Sequence, residues 1–298
     1  MSRPLNKLAP AAGWSQRLNA YLRLVRMDRP IGTLLLLWPT LWALWIAGAG
    51  KPSAHVFVVF VLGVWVMRSA GCAINDFADR HIDPEVERTR ARPLAAGEIA
   101  PAEALAVFGA LLLVALLLVM TLGAAMVKLA AIGALLAATY PFFKRFTHLP
   151  QLILGAAFGW GIPMAFAAQT GHIPAVAWVL FAANVAWTMA YDTMYAMADR
   201  KDDLRIGVKS TAVLFGRHDR LLVGILQLAT LGLLAAAGVL AQLGLWYAIG
   251  LGLAAVSAFY QQFLIRSRDE RACFDAFINN SWFGAAVYCG VLLHYTFT

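Results

Sequence analysis

Charged residues are scarce in this sequence of 298 residues, where they make up only 13%. An average soluble domain has about 25%, so the composition excludes an ordinary water-soluble protein. The hydrophobic share of 61% and the mean hydropathy of +0.69 instead indicate an integral membrane protein. Its apolar segments are long and uncharged, and they therefore predict membrane-spanning helices rather than the short alternating strands of a barrel.

Cysteine is also sparse, and other familiar signals are missing. Cys72, Cys273 and Cys289 have neither paired nor metal-ligand spacing, so we interpret them as packing residues. No glycine-rich phosphate loop is found, which argues against nucleotide hydrolysis. Residues 1–20 contain bases but no long apolar core, so we expect an N-terminal cytoplasmic tail with a short interfacial helix rather than a signal peptide.

Nine apolar segments have about the 20 residues that a helix needs to cross a bilayer. They lie near residues 30–50, 53–74, 102–124, 126–143, 150–169, 173–195, 221–242, 244–264 and 276–297. We therefore expect an all-α polytopic membrane protein with about nine transmembrane helices. The whole chain, 1–298, is predicted to be one membrane-embedded domain.

The basic residues are distributed unevenly along this plan. All 24 lysines and arginines except Lys51 and Lys128 lie before the first span or around alternate connections. By the positive-inside rule, we expect the N-terminus and these connections to be cytoplasmic and the C-terminus to be on the opposite side. These flanking bases also account for the net charge of +8, so we expect a lipid bilayer and no nucleic acid as partner.

An acidic cluster follows the second apolar segment. Asn75, Asp79 and Asp83 are spaced four residues apart, and Asp76 is three residues before Asp79. On a helix all four would share roughly one face, and Pro84 would disfavour its continuation. Carboxylates at this spacing repel one another unless a cation lies among them, so the cluster is a candidate site.

A second acidic cluster closes the sixth apolar segment in the same way. Asp192, Tyr195, Asp199 and Asp203 follow one another at gaps of three, four and four residues, again one face of a helix. Two clusters of this kind on the same predicted membrane side are poorly explained as ordinary solvated loops.

A third polar signal, Tyr140 to Arg145, ends the fourth segment on the same side, so all three can meet at one cavity mouth. Facing acids suggest Mg²⁺, which binds a few carboxylates together with water and phosphate oxygens. A diphosphate is then the expected third component. Its charge could be met by Arg80, Lys144, Arg145, Arg200 and Lys209.

These motifs resemble those of the UbiA-type intramembrane aromatic prenyltransferases. The first cluster matches the family's Asn-Asp-x-x-Asp-x-x-x-Asp motif, and the second resembles its other aspartate motif. Further matches are the runs Arg26 to Thr33, Arg88 to Leu94, Tyr140 to Arg145 and Gly207 to Gly216. The motifs extend from about Leu22 to Gly216, and the nine-helix plan covers the remainder.

The resemblance implies a helix bundle around a central cavity that is open sideways to lipid. It implies Mg²⁺ and a polyprenyl diphosphate at the cytoplasmic end, with the prenyl group passing to an aromatic ring. The run Tyr191 to Met197 and the run Arg29 to Thr33 favour 4-hydroxybenzoate as acceptor. The expected setting is ubiquinone synthesis at the bacterial inner membrane.

The resemblance and the charge pattern together assign expected roles. The expected metal ligands are Asn75, Asp76, Asp79, Asp83, Asp192, Asp199 and Asp203. The expected catalytic residues are Asp76, Asp79, Asp83, Asp192 and Asp199. The expected substrate-binding residues are Arg68, Arg80, Tyr140, Lys144, Arg145, Tyr195, Arg200 and Lys209. For the benzoate carboxylate the candidate is Arg145, with Arg68 as its competitor.

Two alternatives remain at this stage. Within the family, the acceptor could be another aromatic compound such as homogentisate, dihydroxynaphthoate or haem. In a different class, intramembrane acids also mark the pathways of cation and organic-anion transporters. Transporter ligands lie near the bilayer midplane, whereas these acids are predicted at helix ends on one side.

Overall fold

The computed structural model describes residues 13–298, and in that part of the chain the fold is entirely helical, without strands. Residues 1–12 of the expected tail lie outside the described residues, and residues 14–20 belong to the first helix. The α-helices are α1 Trp14–Leu24, α2 Ile31–Ala47, α3 Ala54–Asp79, α4 Pro101–Met120, α5 Ala124–Phe143, α6 Pro150–Gly159, α7 Gly161–Thr170, α8 Ala175–Ile206, α9 Thr211–Phe215, α10 Asp219–Leu240, α11 Leu245–Leu264 and α12 Glu270–Phe297.

Each predicted apolar segment coincides with a helix, and the segment 150–169 coincides with the successive helices α6 and α7. Seven helical stretches in the described residues are long and apolar enough to cross a membrane, and α2 is a shorter apolar helix. The multi-pass all-α architecture is thus confirmed, while the number of nine spans stays a prediction. The seven stretches are Ala54–Asp79, Pro101–Met120, Ala124–Phe143, Pro150–Thr170, Thr211–Leu240, Leu245–Ser267 and Glu270–Phe297.

The short connections between neighbouring helices are tight turns with backbone angles in the left-handed region. Gly123 has a φ of 96° between α4 and α5, and Gly171 has a φ of 76° between α7 and α8. Glycine adopts this region without the steric cost of a side chain. These turns make successive helices antiparallel, so alternate connections return to the same end of the bundle.

The centre of the bundle is a column of aromatic side chains from α2, α8 and α12. The Trp187 ring lies 5.4 Å from both Trp42 and Phe283 and 5.2 Å from Tyr191. The Trp187 indole donates a hydrogen bond to Asn280 Oδ1 at 2.8 Å, so its one polar atom is paired. This column fixes α8, which also packs against α6 and α10.

Two helices extend beyond their apolar segments and carry polar residues to the same end of the bundle. Helix α3 continues to Asp79, and α8 continues to Ile206. The outward side chains of α4, by contrast, are apolar, with Leu113 and Leu117 more than half exposed. Such a surface is stable against lipid and unstable against water.

Helices α11 and α12 cross at two glycines. A β-carbon on Gly250 would lie 2.7 Å from the Ala286 carbonyl oxygen and 2.8 Å from Gly290 Cα. Both contacts are with backbone, which cannot move aside as a flexible side chain does. Close backbone approach at small residues is a usual way for helices to associate in membranes.

We therefore expect Gly250→Ala to destabilise the bundle by overpacking this crossing. The unfolding temperature in detergent should fall by roughly 3–8 °C, since overpacking costs about 1–3 kcal/mol. Gly252→Ala is the matched control on the same helix, because a β-carbon there meets nothing within 4 Å. Equal unfolding temperatures for the two variants would contradict the proposed role of the crossing.

Candidate functional site

A polar cavity of about 430 Å³ lies where α3, α5 and α8 bring their polar ends together. The connection between α3 and α4 and the turn between α1 and α2 also contribute to its wall. All seven expected metal ligands line it, so the two acidic clusters meet as the sequence predicts. They are Asn75, Asp76, Asp79, Asp83, Asp192, Asp199 and Asp203.

The carboxylate of Asp76 is 1% exposed and is held by two arginines. Arg26 donates to both of its oxygens, at 2.7 and 3.0 Å, and Arg92 approaches Oδ1 at 3.3 Å. Arg92 also donates to both oxygens of Asp83, at 2.9 and 3.1 Å. One guanidinium therefore bridges two buried acids that would otherwise repel each other.

Asp83 does not continue the helical face of Asp79, contrary to the sequence prediction. Helix α3 ends at Asp79, and Asp83 begins a single 3₁₀ turn, Asp83–Glu85, in which Pro84 fixes the backbone. The turn nevertheless directs Asp83 into the cavity. Burial raises the pKa of its carboxyl, although the charge of Arg92 opposes that effect.

Asp79 is the acid at the centre of the first cluster. Its side chain is paired with Lys144 from the end of α5, and its Oδ1 atom, although buried, accepts no hydrogen bond. The phenol of Tyr140, one turn before Lys144, donates to Asn75 Oδ1 at 3.3 Å. A buried carboxylate oxygen without a donor is costly unless a further ligand reaches it.

The second cluster lies along one continuous helix, as predicted. Asp192, Asp199 and Asp203 all line the cavity from α8. Arg88 pairs with Asp199, its Nε lying 2.9 Å from Oδ1, and its guanidinium lies 4.0 Å above the Tyr195 ring. Tyr195 thus contacts the arginine with its ring face and also accepts a hydrogen bond from it.

The expected substrate-binding residues divide into two groups. Arg68, Tyr140, Lys144, Tyr195 and Lys209 line the cavity. The cavity wall does not include Arg80, Arg145 and Arg200.

The three side chains outside the wall have partners elsewhere. Arg80 donates to the Phe77 carbonyl oxygen at 2.8 Å, and Arg200 donates to the buried Asp219 at 2.7 Å. Arg145 donates to the Ala78 carbonyl oxygen, with its guanidinium 3.9 Å from Asp79. These three bases therefore lie near the cavity, but their side chains do not form part of its wall.

Sequence reasoning gave no role to the three arginines that hold the acids most closely. Arg26, Arg88 and Arg92 were noted only as parts of matching motifs. Arg26 is 50 residues from Asp76, Arg88 is 111 residues from Asp199, and Arg92 is 9 residues from Asp83. Helical spacing relates none of these pairs. The available signal was the spacing of arginines at 88, 90 and 92 beside an acidic cluster in a chain with few charged residues.

A second cavity, of about 290 Å³, adjoins the first and is almost wholly apolar. Arg68, Tyr140 and Phe158 line both cavities and so form their junction. Small residues of α3 and α5, such as Gly63 and Ala134, leave the room for it. The two cavities together suit a long molecule with an anionic head and a hydrocarbon tail.

The donor chemistry of the polar cavity fits Mg²⁺, a hard cation that prefers carboxylate oxygens. Among residues 13–298 no three acids, histidines or cysteines form a ready metal cluster, since arginines and Lys144 lie between the acids. The Oδ1 atom of Asp79, which accepts no hydrogen bond, is the oxygen best placed to accept a further ligand. The cavity can therefore take a cation and a polyanion together.

Comparison with known proteins agrees with this geometry. The family model of the UbiA prenyltransferase family matches residues 36–284. A relative from Methylococcus capsulatus is 58% identical over 279 residues, which cover 94% of this chain and 96% of the relative. Another relative, from Nitrosococcus oceani, is 59% identical over 280 residues, which cover 94% of this chain and 98% of the relative. Both relatives bear the name 4-hydroxybenzoate octaprenyltransferase.

Solved structures share the fold. A UbiA homologue from Aeropyrum pernix K1 superposes with a TM-score of 0.78 at 23% identity, covering 87% of this chain and 97% of that one. A UbiA homologue from Archaeoglobus fulgidus, bound to GPP and Mg²⁺, gives a TM-score of 0.70 at 20% identity, covering 91% and 99%. By its family model, its relatives and its fold, this chain belongs to the UbiA prenyltransferase family.

Proposed function

We propose that this protein transfers a polyprenyl group from polyprenyl diphosphate to 4-hydroxybenzoate. The new bond forms at the ring carbon ortho to the hydroxyl, and the products are 3-polyprenyl-4-hydroxybenzoate and diphosphate, in ubiquinone synthesis. The observation that carries the proposal is the junction of a charged cavity and an apolar cavity at Arg68 and Tyr140. The names of the relatives at 58% and 59% identity support the choice of acceptor.

The prenyl diphosphate is an amphipathic molecule that matches both cavities. Its diphosphate head fits among the bases of the polar cavity, and its tail fits the apolar cavity along α3. The lining residues Val59 and Gly71 are about 18 Å apart on that helix, at 1.5 Å per residue. Transfer of the tail from water into the apolar cavity contributes to binding, while the bases of the polar cavity pair with the charge of the head.

Mg²⁺ would be held by carboxylates of the two clusters, with Asp79 and Asp199 as the central pair. The metal would supply positive charge to the diphosphate and so make it a better leaving group. This assignment of the metal is supported by the oxygen-rich donor set and by the fold shared with the Mg²⁺-bound homologue from Archaeoglobus fulgidus.

The whole chain is proposed to act as one domain.

The residues of the chain then have distinct parts in the reaction. Arg88, Arg92 and Lys144 orient the diphosphate and neutralise its charge as the allylic carbon–oxygen bond breaks. The bonding electrons leave with the diphosphate oxygen, and an allylic cation remains. The aromatic ring attacks this cation with its π electrons, forms the carbon–carbon bond and then loses the ring proton to restore aromaticity.

Water must be kept from the allylic cation, because hydrolysis would compete with ring attack. The apolar cavity is walled by α3, α4, α5 and α7 and so surrounds the tail with hydrocarbon side chains. The reacting carbon would lie near the junction at Arg68, at the dry end of the polar cavity. A location within a membrane bundle therefore has a chemical reason.

Arg68 is the better candidate for the benzoate carboxylate, in place of Arg145. Its guanidinium lines both cavities, and its buried Nε atom lacks a hydrogen-bond partner. The Arg145 guanidinium already donates to backbone carbonyls of Ala78 and Pro141. An unpaired buried guanidinium atom is the group that a carboxylate would satisfy.

The positive-inside distribution supports a cytoplasmic active-site mouth and N-terminus, and the bacterial relatives support the inner membrane as location. The donor would enter sideways from the bilayer. A transporter role is disfavoured, because both acidic clusters meet at one end of the bundle and alternating access needs ligands near the midplane.

Asp79→Asn should lower prenylation of labelled 4-hydroxybenzoate at least about 100-fold, because the buried acid is lost from the site. The assay uses purified protein, a long-chain prenyl diphosphate and Mg²⁺. Asp275→Asn is the control, since the Asp275 side chain is exposed on α12 and is not part of the cavity wall. Full activity of the Asp79 variant, or prenylation of other aromatic acceptors only, would refute the proposal.

Arg68→Gln should raise the KM for 4-hydroxybenzoate about 10- to 100-fold, as expected for loss of a charged hydrogen-bond partner. The KM for the neutral methyl ester of the acceptor should change little. Comparing the two acceptors separates lost recognition from general damage. If Arg145→Gln produces this selective effect and Arg68→Gln does not, the assignment of the carboxylate is wrong.

A further inference from the structure

Helix α1 presents a stripe of large apolar side chains that no other part of residues 13–298 covers. Trp14 is 93% exposed, Leu18 is 59% exposed and Leu22 is 42% exposed. They are spaced four residues apart, so they lie along one side of the helix. Three such side chains in water are unfavourable, and their alignment calls for an apolar surface.

The opposite side of α1 is docked on the protein. Ala20 and Leu24 are buried in a small cluster with Ala73 of α3 and Ala104 of α4. The Tyr21 hydroxyl donates to Glu103 Oε1 at 2.7 Å. Helix α1 therefore has a fixed orientation, and its exposed stripe always points away from the bundle.

The place of docking sets the depth of α1 relative to the membrane. Glu103 is in the first turn of α4, which from there on is long and apolar enough to cross the bilayer. Helix α1 thus lies at the level where α4 enters the lipid. Tryptophan prefers this interface, and amphipathic helices bury their apolar side there.

The end of α1 is tied directly to the polar cavity by one guanidinium. Arg26 follows α1 with a φ of 59°. Its Nη1 donates to the Arg23 and Leu24 carbonyl oxygens, at 2.7 and 3.3 Å, while its Nη2 donates to Asp76. The last carbonyls of α1 therefore hold the arginine that pairs with a buried acid of the site.

We propose that α1 is a membrane-surface anchor whose stripe of Trp14, Leu18 and Leu22 inserts into the lipid interface and thereby positions Arg26 on Asp76. Arg26 acts here as a positioning link between the bilayer and the site. The occupant of the stripe is lipid, because α1 docks at the first turn of α4, the depth at which the lipid-facing surface of α4 begins.

The first test measures depth and does not depend on the proposed function. Leu18→Cys is labelled with an environment-sensitive fluorophore in a Cys289→Ser background, where the two remaining cysteines are buried. Gln16→Cys is the control, since Gln16 is exposed and lies one turn before Ala20, on the side of α1 that faces away from the stripe. In vesicles with spin-labelled lipids, we expect strong quenching of the label at 18 and weak quenching at 16.

Equal and weak quenching at both positions would overturn the proposal. So would a label at 18 that is blue-shifted but not quenched by the lipids, because that result means a protein covers the stripe. Neither outcome would affect the proposed reaction, since no substrate is present.

The second test asks whether α1 acts through Arg26, and only this test rests on the proposed function. Leu18→Asp should raise the KM for the prenyl diphosphate about fivefold, the lower end of coupling between distant sites. Gln16→Asp should leave that KM unchanged. In an Arg26→Met background, Leu18→Asp should add no further loss, and an equal loss in both backgrounds would show that the link through Arg26 does not exist.

Discussion

The structure depends on the mutual neutralisation of buried acids and bases at one end of an apolar bundle. Asp76 is 1% exposed and Asp83 is 4% exposed, and an isolated carboxylate in such a place would cost several kcal/mol. Arg26 and Arg92 offset part of that cost, and they come from two separate connections of the chain. The turn after α1 and the connection after α3 are thus held over the cavity by the same ion pairs that keep the acids charged.

This arrangement suits a site that must accept charged ligands in a membrane. Asp76, Asp79, Asp83 and Asp199 are each paired with a base of the chain, and each pairing offsets part of the free-energy cost of burying the two charges. A cation and a diphosphate bring charges of both signs, so the cation can pair with acids and the diphosphate with bases that are now paired with each other. The adjoining apolar cavity adds affinity for the tail and keeps water from the reacting carbon.

The sequence predicted those features that depend on local spacing. The apolar segments coincide with helices, and α8 carries Asp192, Asp199 and Asp203 along one helix. The convergence of both clusters followed from the positions of charge at helix ends. These inferences succeed because helical periodicity and the cost of charge in lipid act on neighbouring residues.

What the sequence did not predict depends on contacts between distant parts of the chain. Helix α3 ends before Pro84, so Asp83 lies in the 3₁₀ turn that follows. Arg92 pairs with Asp83 and holds this turn at the cavity. Arg200 sits beside Asp199 in sequence but reaches across to Asp219. Side-chain direction at a helix end is set by the tertiary partner, and spacing alone contains no information on it.

The most direct test of the exchange of ion pairs is the affinity for Mg²⁺ with and without a non-hydrolysable prenyl diphosphate, measured by titration calorimetry on the purified protein. The account predicts weak Mg²⁺ binding alone, because bases hold the acids, and binding at least about tenfold tighter when the diphosphate engages those bases. Mg²⁺ affinity that is the same with and without the diphosphate would contradict it.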